Sequence, residues 1–232
     1  MKTIGVLGGI GPQATIDFEA RLHRVSQQLI PPKINSGYPP LVVYYFRELP
    51  SVTPSQGSMA TTRSEVNPRM LDAAKRLGSM SDFLAIPCNG AHIYFDQLAQ
   101  AAGCPVLNMI DASVAEVQRR GLRRVGILDF RAAGVGLYHQ RLSALGVPWE
   151  ITPPELLAPL FAAVLAVQEG RPGAEVGEPA RQALEHLRAK AVDGIIMGCT
   201  EIPFMLGDAA EDACMLNPVQ VLADVTVRYA LE

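Results

Sequence analysis

No stretch of this 232-residue chain approaches the ~20 consecutive apolar residues of a membrane-crossing helix. Its start, MKTIGVLGG, also lacks the long apolar core of an export signal. Charge is sparse: charged residues make up 19 %, the net charge is −3, and no run of Lys or Arg forms a patch. A binder of nucleic acid or of an anionic membrane would carry such a footprint. Lysines are few, and Lys2, Lys33, Lys75 and Lys190 fall at the terminus, in a loop or on helix surfaces. None suits the shielded Schiff base of a pyridoxal phosphate enzyme. The four cysteines, Cys88, Cys104, Cys199 and Cys214, show no C-x-x-C spacing, and only His92 stands near one of them. That gives no support to a structural zinc site, and in a reducing compartment all four are thiols. The expectation is a soluble, cytoplasmic protein without metal. Its apolar fraction of 49 % is enough for one large packed domain or two smaller ones.

Short apolar runs alternate with segments of helical period, the pattern of a parallel α/β sheet. Strands are predicted at Thr3–Leu7, Leu41–Phe46, Phe83–Pro87, Pro105–Asn108, Arg124–Leu128, Gly194–Met197 and Cys214–Leu216. Helices are predicted at Pro12–Ile30, Arg69–Gly78, Ala91–Ala102, Asp111–Arg120, Gly136–Leu145, Glu155–Gln168, Val176–Lys190 and Val219–Ala230. The Pro- and Gly-rich stretches Ile30–Pro40 and Gly170–Gly177 read as loops. The chain also repeats itself. Thr3-Ile-Gly-Val-Leu is echoed by Arg124-Val-Gly-Ile-Leu, Ile86-Pro-Cys-Asn-Gly by Met197-Gly-Cys-Thr-Glu, and Val106-Leu-Asn-Met-Ile by Met215-Leu-Asn-Pro-Val. Three echoes in one order predict two similar Rossmann-like α/β domains with central parallel sheets, facing each other across a cleft. Their expected extents are 1–112 plus 216–232, and 113–215.

Each half ends its central strand with a cysteine, Cys88 and Cys199. Ligands of open α/β sheets bind at the carboxyl ends of strands. A helix N-terminus just beyond each thiol is expected to draw its pKa down from about 8.5 toward neutrality, where proton transfer is efficient. Two equivalent thiols fit a two-base reaction, one removing a proton from a planar carbon and the other returning one to the opposite face. Asn89 and Thr200, each next after its cysteine, add hydrogen-bond donors for a carboxylate or oxyanion, and Glu201 follows Thr200. Cys104 and Cys214 border apolar strands and read as core fillers. His92, four residues after Cys88, reads as a helix residue contacting its own first turn.

The segment Gly9-Ile10-Gly11-Pro12-Gln13-Ala14 fits a dinucleotide-binding glycine loop, but no acidic residue ends a second strand about 20 positions later. Gly9 and Ile10 are read instead as a loop whose amides face a small anionic substrate.

With these motifs in place the chain resembles the aspartate/glutamate racemase superfamily, in its aspartate racemase branch. The likeness lies in KTIGVLGGIGP at Lys2–Pro12, PCNGAH at Pro87–His92 and GCTEIP at Gly198–Pro203, and it extends over the whole length. The resemblance implies two α/β domains with a site between them, an amino-acid substrate, no cofactor and a homodimer. It also implies that Cys88 and Cys199 are the two bases, with Asn89, Gly90 and Ala91 binding the α-carboxylate. The chain departs from the family at informative places. The usual PCNTAH is PCNGAH, so Gly90 lacks a hydroxyl. A family arginine aligns with Val52, with Arg47 nearby as a substitute. A lysine that grips the substrate side chain aligns near Gln168. The turn opening the second half is Asp129-Phe-Arg-Ala-Ala-Gly134, whose Arg131 resembles an arginine of some relatives. Losing charged contacts to a second carboxylate points away from a dicarboxylate substrate. Two other readings stay open: a maleate-isomerase-like enzyme with one nucleophilic cysteine, and a ligand-binding homologue without turnover.

Overall fold

The computed structural model describes residues 1–31, 37–52, 65–131, 136–171 and 174–232. Lys33 and parts of the expected loops Ile30–Pro40 and Gly170–Gly177 lie outside these residues, as does the end of the Asp129–Gly134 turn. The chain divides into two units, Met1–Asn108 with Asp224–Glu232, and Met109–Ala223.

In the first unit, β1 (Ile4–Gly8) is buried at all five positions, as a central parallel strand covered on both faces must be. It pairs in parallel with β2 (Leu41–Tyr45) on one side and β5 (Phe83–Ala85) on the other, and β6 (Val106–Leu107) extends the sheet beyond β5. The order is β2-β1-β5-β6. A separate antiparallel pair joins β3 (Ser51–Val52) to β4 (Glu65–Val66), with Val52 opposite Glu65. The helix α1 (Pro12–Leu29) opens on proline, which fits the first helical position, and buries Ala14, Phe18, Leu22 and Val25 at helical spacing. Asn67 caps α2 (Pro68–Gly78) by accepting from the Arg69 amide at 3.0 Å.

The second unit repeats this plan. Its central strand β7 (Val125–Leu128) pairs in parallel with β8 (Trp149–Ile151) and β9 (Gly194–Met197), and β10 (Met215–Leu216) lies beyond β9. The order β8-β7-β9-β10 matches β2-β1-β5-β6 strand for strand. All three sequence echoes fall on equivalent strands or the turns that follow them. The fourth equivalence, β2 with β8, left no echo, and β8 was not among the predicted strands. Its three half-buried residues sit between Pro148 and Thr152-Pro153, too short a run for alternation to show.

The helices in this unit are α4 (Met109–Arg119), α5 (His139–Ala144), α6 (Pro154–Gln168), α7 (Ala174–Ala189) and α8 (Ile202–Leu206), and α9 (Pro218–Leu231) carries the chain back into the first unit. The sequence boundaries at 112/113 and 215/216 fall inside α4 and at β10 respectively. The expected helix Ala91–Ala102 is in fact a 3₁₀ turn, Gly90–Tyr94, followed by α3 (Phe95–Ala102).

On α4, Glu116 accepts from Arg119 Nε at 2.6 Å and Arg120 Nε at 2.7 Å, while Arg120 Nη1 donates to the Met215 carbonyl at 3.0 Å. The hydrogen bond from Arg119, helped by Arg120, holds the Glu116 carboxyl down at about 2 from an ordinary 4.5. A lowered folded value stabilises above the unfolded pKa, and that contribution is lost as pH falls from about 4.5 toward 2. Because the arginines are partly exposed, Glu116→Gln is expected to cost at most about 1 kcal/mol near neutrality. That cost should shrink as pH falls through about 2, as denaturant midpoints at neutral and acid pH would show.

Candidate active site

In the second unit the carboxyl ends of β7, β8 and β9 converge. Asp129 follows β7, and its amide donates to Thr152 Oγ1, just past β8, at 3.1 Å. The Asp129 carboxylate pairs with Arg131 Nη2 at 2.7 Å, and the same nitrogen donates to the Gly198 carbonyl at 2.6 Å. A side chain at Gly198 would meet Asp129 Cβ at 2.9 Å, so this buried carboxylate requires glycine there. Burial raises the Asp129 pKa, against the pull of Arg131. The Arg131–Gly198 contact fixes the backbone immediately before Cys199.

Cys199 is buried and donates its thiol to Glu201 Oε2 at 2.9 Å. Thr200 Oγ1 donates to the same oxygen at 3.0 Å, and Gln168 Nε2, at the end of α6, donates to Oε1 at 2.8 Å. Burial pushes the Cys199 pKa up, and the Glu201 charge pushes it further, with Arg131 opposing and Asp129 adding. This reverses the expected fall toward neutrality. The helix beyond Cys199, α8, spans only five residues, and a buried carboxylate facing the thiol outweighs whatever dipole so short a helix carries. Cys199 is therefore held as a thiol.

In the first unit the corresponding turn follows β5. The Cys88 amide donates to the Ile86 carbonyl at 2.8 Å, and the His92 amide to the Asn89 carbonyl at 3.0 Å. His92 Nδ1 lies 2.9 Å from the Cys88 carbonyl oxygen, which can only accept, so this ring nitrogen carries the proton. The contact to its own first turn is the one read from sequence. Cys88 is half-buried, and Asn89 is buried with 2 % exposure. Cys88, Ile10 and Ala91 pack into one apolar cluster, with the Ala91 methyl fully enclosed. What Ala91 can offer a ligand is its backbone.

Gly9, at the end of β1, has φ +80°, and its amide donates to Thr15 Oγ1 at 2.7 Å. The amide expected to face a substrate is thus engaged within the fold. Arg47 is exposed after β2, with its guanidinium 5.0 Å from the Tyr45 ring centroid, and Val52 is exposed on β3. Cys104 and Cys214 are half-buried against the apolar clusters of their units. Burial raises the Cys104 pKa, with Asp82 adding to the effect. Among the described residues, no group of three or more His, Cys, Asp and Glu side chains could hold a metal ion, and no helix is long and apolar enough to cross a membrane.

Sequence reasoning singled out Gln168, Thr200, Glu201, Arg131 and Cys199 separately, and the fold gathers them. It passed over Asp129. A signal was present: the echo of Thr3–Leu7 in Arg124–Leu128 sets Asp129 level with Gly8, at the end of a central strand.

Residues 7–228 match the Asp/Glu/hydantoin racemase family. The chain is 29 % identical over 115 residues to the broad specificity amino-acid racemase RacX of Bacillus subtilis, covering 49 % of this chain and 48 % of that protein. It is 30 % identical over 157 residues to a glutamate racemase of Desulforudis audaxviator, covering 65 % of this chain and 55 % of that protein. The chain thus spans about half the length of the curated relatives it matches. Two solved structures share the fold at 21 % identity. The aspartate racemase of Picrophilus torridus has a TM-score of 0.76, with 99 % of this chain and 94 % of that one covered. An aspartate racemase homologue from Pyrococcus horikoshii has a TM-score of 0.73, with both chains covered in full. With the match running through both repeated units and both cysteine turns, the chain belongs to the Asp/Glu/hydantoin racemase family.

Proposed function

We propose that this protein is a cofactor-independent, homodimeric amino-acid racemase that moves protons with Cys88 and Cys199. The observation that carries the reading is the Cys199 thiol aimed at Glu201 beyond β9, with Cys88 at the equivalent place beyond β5. As a thiolate, Cys88 takes the α-proton, and the electron pair left on Cα takes the proton of the Cys199 thiol on the opposite face. The products are a Cys88 thiol, a Cys199 thiolate and the inverted amino acid. The reverse reaction exchanges the roles. Asn89 provides a side-chain donor beside the Cys88 sulfur for the substrate's α-carboxylate; the Thr200 hydroxyl, expected to do the same beside Cys199, already gives its one proton to Glu201.

The substrate side chain is uncharged in this reading. Gln168, where a lysine is expected in dicarboxylate-selective relatives, already donates to Glu201, and Val52 stands in the place of an arginine. Incubation with paired L- and D-amino acids in deuterated water, followed by NMR, tests the proposal. Deuterium should enter at Cα with inversion for at least one neutral amino acid. Exchange with none of the panel would favour a ligand-binding homologue, and isomerisation of maleate without exchange at an amino acid would favour a single nucleophilic cysteine.

Selectivity gives a further expectation. An arginine at position 52 would face Glu65 across the β3–β4 pair and be neutralised there. Val52→Arg combined with Glu65→Gln should therefore raise aspartate turnover relative to a neutral substrate. A charged hydrogen bond of about 1.5–3 kcal/mol corresponds to roughly 10–10² in the ratio of kcat/KM values. An unchanged ratio would show that the side-chain pocket lies elsewhere.

A further inference from the structure

Glu201 is 3 % exposed, and its carboxylate receives three hydrogen bonds. Two come from its immediate neighbours in the chain, Cys199 and Thr200, which this turn brings together in any case. The third does not. Gln168 is 33 positions away and reaches Glu201 from the last residue of α6, so its presence is a property of the tertiary fold. A buried carboxylate has lost its water and must be met by donors. A neutral amide meets it without cancelling its charge, whereas the lysine expected at this place in relatives would form an ion pair and do so.

With Oε1 held by Gln168, the other oxygen is directed at the sulfur. Other groups that act on Cys199 include the Asp129 carboxylate and the Arg131 guanidinium, which pair with each other, and the Tyr138 hydroxyl. We propose that Gln168 is a positioning residue: through Glu201 it keeps the proton on the Cys199 sulfur in the resting protein, which makes Cys199 the acid of the pair. The description of Cys199 as an acid rests on the racemase reading; the location of the proton does not.

The test is a pH titration of the intact protein carrying isotope-labelled cysteine. The Cys199 Cβ resonance is identified by its disappearance in Cys199→Ser. In the native protein this resonance should titrate above the range of an unperturbed cysteine. Glu201→Gln, which removes the charge, should lower the midpoint by about one pH unit or more. Gln168→Leu, which releases Glu201 from its anchor, should lower it in the same direction by a smaller amount. In a Glu201→Gln background Gln168→Leu should have no further effect, because its influence passes through that carboxylate. Should Gln168→Leu not fold, Gln168→Asn keeps the amide but withdraws it by one methylene, with the same expected direction. An unmoved midpoint in the Gln168 variant would overturn the proposal. So would a shift that persists undiminished once Glu201 is glutamine. The titration requires no turnover, so it stands apart from any failure to find a racemised substrate.

Discussion

Cys88→Ala and Cys199→Ala are each expected to abolish interconversion of L- and D-substrate, a loss of roughly 10²–10⁴ or to background. In a two-base reaction each sulfur serves one face of the α-carbon, and neither can stand in for the other. Serine makes the sharper experiment. Its hydroxyl is too weak an acid and base for the proton transfer but nearly fills the space of the thiol. In Cys199→Ser, Cys88 can still remove and return a proton on its own face, so one enantiomer should exchange its α-hydrogen with solvent and keep its configuration. Cys88→Ser should show the same behaviour with the other enantiomer. Because Cys199 lies in the core, unfolding midpoints must accompany the rates; a serine there still donates to Glu201, and the fold should survive. Full interconversion by Cys88→Ala would end the two-base account.

The second large effect concerns the turn after β1. Gly9→Ala is expected to destabilise the protein by about 2–5 kcal/mol, from strain at a positive φ together with overpacking. The added carbon would sit 2.6 Å from Tyr45 Cα and 2.7 Å from the Phe46 nitrogen. These are backbone atoms held in place by the 2.8 Å bond from the Phe46 amide to the Gly8 carbonyl, so they cannot swing aside as a side chain could. Gly146 supplies the control. Its φ is +68°, yet a carbon added there meets nothing within 4 Å, so Gly146→Ala should cost only about 1 kcal/mol. Denaturant unfolding of both variants separates close approach from backbone strain, and equal losses would rule out the tight contact.

The parallel core was readable because strands buried on both faces are written as continuous apolar runs, such as Phe83-Leu-Ala and Gly194-Ile-Ile-Met. The likeness of the two sheets was legible in the internal echoes, but the strand order within each was not. What did not show in the sequence was short or assembled from distant parts. Trp149-Glu-Ile is a strand only because β7 offers it a register, and Ile202–Leu206 is a helix of barely more than one turn. The ends of the two cysteine turns were legible, but the state of the thiol was not. Helix-dipole reasoning considers only the segment after Cys199, whereas Glu201 and Gln168 set the proton's position through contacts made in three dimensions. Gly9 was seen as a loop residue, and the function assigned to its amide was displaced by Thr15, six residues further along.

The order in which the two units can be completed during synthesis follows from the way they are divided. The second unit is continuous, Met109–Ala223, whereas the first is interrupted and takes its last piece from Asp224–Glu232. That piece brings Tyr229 edge-on to Phe83 at 4.8 Å and gives the Lys2 amide its acceptor, the Ala230 carbonyl at 2.8 Å. The usual order, N-terminal domain first, is therefore closed to the first unit, whose last piece is made after the whole of the second. The sheet β8-β7-β9-β10 needs nothing from Asp224–Glu232, while the sheet around β1 waits for the final turns of α9 to close over it. A chain cut short after Ala223 and released should hold a protease-resistant second unit attached to a first unit that is still open to cleavage.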